Sequence, residues 1–287
     1  MNRAITVSLA TLVVCSSAAF ADDETPPVVG GRTYVQHQIL AAKRRHPEIA
    51  EITVIGKGPD NKATVILGST ASARNVFKDA QEPADGSAVV GRYLIIREPF
   101  LSSTAHRMGT IEIKFPNRAG TQGRYTKVAQ EVGASMARAT LSAKNAADPY
   151  PFDAKFGPTT YAQKLTERTV AAHPDLLVMM IHATPPKGAY NVIIGSNIGR
   201  FGKKADEDDL RVIEKGSTNL EVGGDNDRYE TELPLLDKSG KRIGALGLVF
   251  GLKADTNKEA LHQHGLAIRD EVARGIPNNA ALFQPAR

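Results

Sequence analysis

Apolar Ile111, Ile113 and Phe115 alternate with Glu112 and Lys114, the period-two signature of a strand with one buried face. A second segment repeats the apolar positions in Leu246, Leu248 and Phe250, but places Gly247 and Val249 between them. Both of its faces are apolar or small, so its second face is expected to be covered, by another part of the chain or by a pocket. Each segment closes a predicted hairpin, Val89–Phe100 with Gly109–Phe115 and Tyr229–Leu236 with Gly244–Leu252. The second hairpin turns at Asp237-Lys238-Ser239-Gly240, a favourable turn composition.

The elements before and after each hairpin also come in pairs. Helices are predicted over Tyr34–Arg45 and Tyr161–Ala172, each stopped by a His-Pro step, because proline disfavours helical geometry in the residue before it. His46 and His173 are read as helix ends rather than ligands. Strand pairs follow, Glu51–Gly56 with Ala63–Gly68 and Leu177–His182 with Asn191–Gly195, then an irregular stretch with short helical pieces. Closing helices are predicted over Thr126–Leu141 and Lys258–Arg274.

This order reflects a duplication. Shifted by 127 residues, Thr33–Ser69 lies on Thr160–Ser196 without a gap, and ten of the 37 positions are identical. They are Thr33, Tyr34, Gln36, His46, Pro47, Pro59, Val65, Ile66, Gly68 and Ser69 with their counterparts. Roughly two would match by chance at ordinary residue frequencies. A second block, offset by 135, pairs Pro99, Arg107, Gly109 and Phe115 with Pro234, Arg242, Gly244 and Phe250. The expected division is a tail over 22–32, a first repeat over 33–142, a linker over 143–159, a second repeat over 160–277 and a loose tail over 278–287.

The first 21 residues read as an export signal: basic Arg3, apolar Ile5–Val14, and Ala19-Phe20-Ala21 as a small-x-small cleavage site. Cleavage near Ala21 would give a periplasmic or secreted protein without a transmembrane segment. It would also remove Cys15, the one cysteine, and with it any thiolate site. The precursor's net charge of +5 becomes +4 without Arg3, and it is unevenly divided. Residues 22–142 hold 16 basic and 12 acidic residues, whereas residues 143–287 hold 19 of each. With no tryptophan and 6% aromatic residues, a stacking surface for nucleic acid is not expected.

Phosphate-loop and dinucleotide patterns fail on the spacing of Gly195, Gly199 and Gly202. No Gly-x-Ser-x-Gly surrounds Ser196, and no Ser-x-x-Lys occurs. His262 and His264 are two apart on a predicted helix and point apart, and Asp206–Asp209 reads as a helix start. No catalytic residue, cofactor or metal ligand is therefore expected.

The order of helix, two strands, irregular helical segment, further antiparallel strands and closing helix resembles the extracellular PAS-like sensor fold. The second repeat also resembles the Cache (PDC) family in motif. The resemblance lies in Val192-Ile193-Ile194-Gly195-Ser196-Asn197, Ile198-Gly199, the acidic Asp206–Asp209, Tyr229, Leu233-Pro234-Leu235, Asp237-Lys238-Ser239-Gly240 and Ile243-Gly244-Ala245-Leu246. The first repeat keeps parts of it, with Thr70 in place of Asn197 and Ser102–Ala105 in place of the aspartate-glycine turn. The resemblance implies an α+β protein of two tandem domains, each an antiparallel sheet flanked by helices. It also implies a small-molecule pocket between sheet and irregular segment.

By position in the motif, Ser196, Asn197, Arg200 and Tyr229 are expected to face that pocket, Arg200 by pairing with a ligand carboxylate. Ser69, Arg74, Tyr93 and Arg97 are the first repeat's candidates. The expected function is small-molecule binding without catalysis. The alternative is an interaction module for an envelope receptor or enzyme, without a small ligand.

Overall fold

The computed structural model describes residues 32–60, 62–72, 76–223 and 226–286. The expected export signal and Arg74 lie outside them. Among the described residues, no helix is long and apolar enough to cross a membrane.

The first domain runs α1 (Tyr34–Arg45), β2 (Glu51–Lys57), β3 (Thr64–Ser69), β4 (Gly86–Val90), β5 (Tyr93–Leu101), β6 (Arg107–Pro116) and α2 (Gln122–Arg138). The second runs α4 (Tyr161–Ala172), β8 (Leu176–Ala183), β9 (Val192–Ser196), α5 (Glu207–Lys215), β10 (Asn219–Val222), β11 (Arg228–Leu236), β12 (Arg242–Gly251) and α6 (Lys258–Gly275). Each forms a five-stranded antiparallel sheet, in the orders β3-β2-β6-β5-β4 and β9-β8-β12-β11-β10. The two orders are the same once the strands are matched. The α+β expectation of two antiparallel sheets flanked by helices holds.

The repeated residues have architectural reasons. Thr33 and Thr160 cap α1 and α4: each hydroxyl accepts from the backbone N–H of Gln36 or Gln163, and donates to the carbonyl of Leu67 or Ile194. The two glutamines accept in turn from the backbone N–H of Ser69 and Ser196, both at 2.8 Å. One threonine and one glutamine thus fasten each helix start to the end of the second strand. Gly109 and Gly244 recur because a Cβ there would strike the backbone of the adjacent strand, at Ile55 and His182. His46 and His173 are helix C-caps, as their His-Pro steps predict.

On one face of each sheet the apolar residues meet the helices. In the first domain Ile52, Val54, Ile111, Ile113 and Phe115 pack with α1 and α2; in the second, Met179, Ile181, Leu246, Leu248 and Phe250 pack with α4 and α6. The opposite face of the second sheet carries Val178, Met180, Ile193 and Val249, covered by Leu141 of the first domain and by Ile198. The covering expected from the small and apolar alternation in β12 therefore comes partly from the other repeat.

Three expectations are corrected. Val89–Phe100 is two strands, not one, because Gly91 adopts φ +57 and turns the chain between β4 and β5. The linker is a packed joint, with helix α3 (Ala143–Ala147) and strand β7 (Pro149–Tyr150) paired to β1 (Arg32–Thr33). Asn145 is buried there, and its amide donates to Asp148 and to the Ile198 carbonyl. The C-terminal tail is fixed as well. Helix α7 (Asn279–Leu282) buries Leu282, and the chain beyond it bonds Tyr161 and Thr159 through backbone groups.

Candidate functional site

Side chains alternate across a strand, so Glu230 and Glu232 of β11 share a face, while Tyr229, Thr231 and Leu233 take the other. The register places Glu232 opposite Gly247 and Glu230 opposite Val249 on β12, and Gly247 opposite Met180 on β8. His182 lies one alternation along from Met180 on that same face. Over it sits α5, whose first turn brings Asp209 to 3.3 Å from His182 Nδ1. The Asp209 carboxylate also bears on Glu232, whose own carboxyl its charge helps to raise. A chain of ionisable groups, Glu232–Asp209–His182, is buried between sheet and helix, with Glu230 half-buried beside it.

Helix capping fixes Asp209. Asp206 is the N-cap of α5 and accepts from the Asp209 N–H; Asp209 Oδ2 accepts in return from the Asp206 N–H at 3.0 Å. The acidic segment is a helix start, as read from the sequence, but its fourth residue points inward. Gly247 leaves room on the sheet side. A Cβ there would lie 3.4 Å from the Met180 methyl and 3.7 Å from Glu230 Oε1, in ordinary contact.

Burial dominates the electrostatics. It pushes the Glu230 carboxyl up to about 7, helped by the neighbouring Glu221 charge. It also raises Glu232, with the Asp209 charge adding repulsion. Burial lowers His182, against the pull of Asp209 and Asp206, so its imidazole is neutral. Neither His182 ring nitrogen has a hydrogen-bond partner of good geometry. The arginines whose charge reaches Glu230 are engaged elsewhere, Arg200 with Asp148 at 3.0 Å and Arg228 with Asp227 at 3.4 Å. Buried carboxyl groups without a cation cost stability, and such arrangements concentrate at functional sites.

The structure does not gather Ser196, Asn197, Arg200 and Tyr229 into one pocket. Ser196 is buried and accepts from the Ile198 N–H, turning the chain after β9. Asn197 clasps β8, accepting from Met179 N–H and donating to the Leu177 carbonyl. Thr70 accepts from the Ile52 N–H in the first domain, the counterpart of the Met179 contact, which explains its place there. Ser196 and Asn197 do line a cleft of about 380 Å³ between the domains, with Tyr34, His37, Tyr150 and Phe201. Arg200 Nε donates to Asp148, a linker carboxylate that is 5% exposed, so this guanidinium secures the joint. Tyr229 lies on the α6 face of the sheet, opposite Glu230, and cannot close over a ligand on the inner face.

In the first domain Ser69 bonds Gln36 and Ala71, and Tyr93 lies under the Arg92 guanidinium at 5.2 Å. Arg97 pairs with Glu112 at 2.9 Å. The residues missed from the sequence, Glu230 and Glu232, carry a legible signal. Two carboxylates recur at period two on a strand whose neighbour offers that face only Gly247 and Val249.

No known family and no curated protein matches the chain. Solved structures give weak overlaps. A putative GAF sensor protein from Burkholderia vietnamiensis is 14% identical over 42% of this chain and 76% of its own, with a TM-score of 0.29. The DhaR(N)–DhaL complex of E. coli is 11% identical over 77% of this chain and 85% of its own, with a TM-score of 0.24. The PobR inducer-binding domain of Acinetobacter, in complex with 3-hydroxybenzoic acid, is 9% identical over 85% and 95%, with a TM-score of 0.19.

Proposed function

We propose that the chain is a small-molecule-binding protein of sensor type, exported to the periplasm and acting by binding rather than turnover. Its site is the inner face of the second sheet, and its ligand carries an ammonium group. The observation that carries this reading is the set Asp209, Glu230, Glu232 and neutral His182 on one covered face, with no cation paired to it among the described residues. An ammonium ion supplies the missing charge and three donors for the carboxyl oxygens. The neutral His182 accepts a further bond. A ligand that also bears a carboxylate meets Arg228 at the rim.

The test is a thermal-shift panel of small amines with and without a carboxylate, set beside carboxylates that lack an amine. Ligand at a hundred times its dissociation constant adds about 2.7 kcal/mol, a shift of a few degrees for domains of this size. Amines should raise the melting temperature, and Glu230→Gln with Glu232→Gln should abolish the effect. A response confined to carboxylates, or one indifferent to both substitutions, would overturn the reading.

A further inference from the structure

The helical side of the second domain carries another constellation, on the face away from the carboxyl cluster. The C-cap of α4 supplies His173, the turn after it Asp175, and α6 supplies His264. One ligand atom from each lies within 4.8 Å of the other two. The imidazole rings stand 5.5 Å apart, and His264 also packs against Phe250, which steadies its plane. Glu271, two helical turns beyond His264 on the same helix face, reaches His173 Nε2 at 3.1 Å.

We propose that His173, Asp175 and His264 form a binding site for a zinc-class dication, with Glu271 available as a fourth ligand. Two imidazoles with carboxylates are the donor set of zinc, nickel and copper; magnesium and calcium prefer oxygen alone. Tetrahedral bonds of about 2.1 Å set the donor atoms about 3.4 Å apart, so the three groups need to close by about an ångström. Partly exposed side chains at a helix end and a turn can make that adjustment. A second observation points to the same place. His264 Nε2 is buried and has no hydrogen-bond partner among the described residues, although Asp175 Oδ2 is 3.2 Å away.

The duplication supplies its own control. The first repeat has His46-Pro47-Glu48 where the second has His173-Pro174-Asp175, but α2 contains no histidine. Half of the donor set is therefore present in the first domain, and the site in the second only.

Tag-free protein stripped with a chelator would be titrated with zinc against a chromophoric competitor, with magnesium and calcium in parallel. The expected result is one zinc per chain. Binding should weaken at least tenfold in both His264→Ala and Asp175→Asn, stay unchanged in His46→Ala, and persist in excess magnesium or calcium. Asp175 is exposed in a turn, so Asp175→Asn tests the site even if His264→Ala disturbs packing. Absence of zinc binding, or zinc binding that survives both substitutions, would overturn the proposal.

Discussion

Arg97 and Glu232 occupy the same position in the two sheets. Arg97 sits opposite Glu112 and forms an ion pair with it; Glu232 sits opposite Gly247 and has Asp209 as its nearest charged neighbour. The two sheets share one frame, and the same site in it is self-neutralised in the first domain and left acidic in the second. The functional assignment to the second domain rests on that contrast.

The carboxyl cluster makes stability depend on pH in a defined direction. Glu230 and Glu232 hold protons more tightly folded than unfolded, so the native state binds more protons and stability falls as pH rises. For Glu230 the window runs from about 4.5 to about 7, and a shift of that size corresponds to roughly 3 kcal/mol at most. His182 acts oppositely, because its lowered affinity for protons costs stability only as pH falls through the ordinary histidine range. Melting temperature should therefore decline from pH 6.5 to pH 8. Glu232→Gln should flatten the decline and raise the melting point at pH 8.

Neutralising the carboxyl cluster should trade binding for stability. Glu232→Arg with Gly247→Glu recreates the ion pair of the first domain, and Gly247 has space for a Cβ. The double variant should melt at or above the parent at pH 7.5 and lose its response to amines. Retained amine binding would place the site elsewhere.

The joint between the domains depends on Asp148. Arg200→Ala leaves this buried carboxylate with Asn145 as its remaining side-chain partner. A loss of about 1–3 kcal/mol is expected in denaturant unfolding. If Arg200 served chiefly as a ligand contact, its removal would leave unfolding unchanged.

The two glutamine clasps should be similar in strength. Gln36→Ala and Gln163→Ala each strand the backbone N–H of a buried serine, at Ser69 and Ser196. Each substitution should cost about 1–3 kcal/mol in chemical denaturation. An effect in one domain but not the other would break the equivalence of the repeats.

Much of this fold is legible in the chain, and the reason is local. The boundaries of α1 and α4 follow from a threonine cap at one end and a His-Pro stop at the other. The β11–β12 turn follows from Asp237, whose Oδ1 accepts from Ser239 and Lys241. The joint was hidden because its order comes from tertiary contacts: Asn145 and Asp148 look like ordinary linker residues until Ile198 and Arg200 reach them. The site was half legible. Motif position led to Ser196 and Asn197, which recur or have a counterpart because they hold the strands, whereas the groups of chemical interest are those in which the repeats differ. Strand alternation sets Tyr229 on the α6 face, one residue from the face that carries Glu230, and a single residue moves a side chain through the sheet.

The most direct test of the account is the proton balance of binding. The amine with the largest thermal shift would be titrated calorimetrically at pH 7 in buffers of different ionisation enthalpy. An ammonium entering a face whose carboxyl groups burial holds above their usual range favours their charged forms and should displace protons. Binding should release protons, and Glu232→Gln should reduce that release. Binding without proton release, or with uptake, would contradict it.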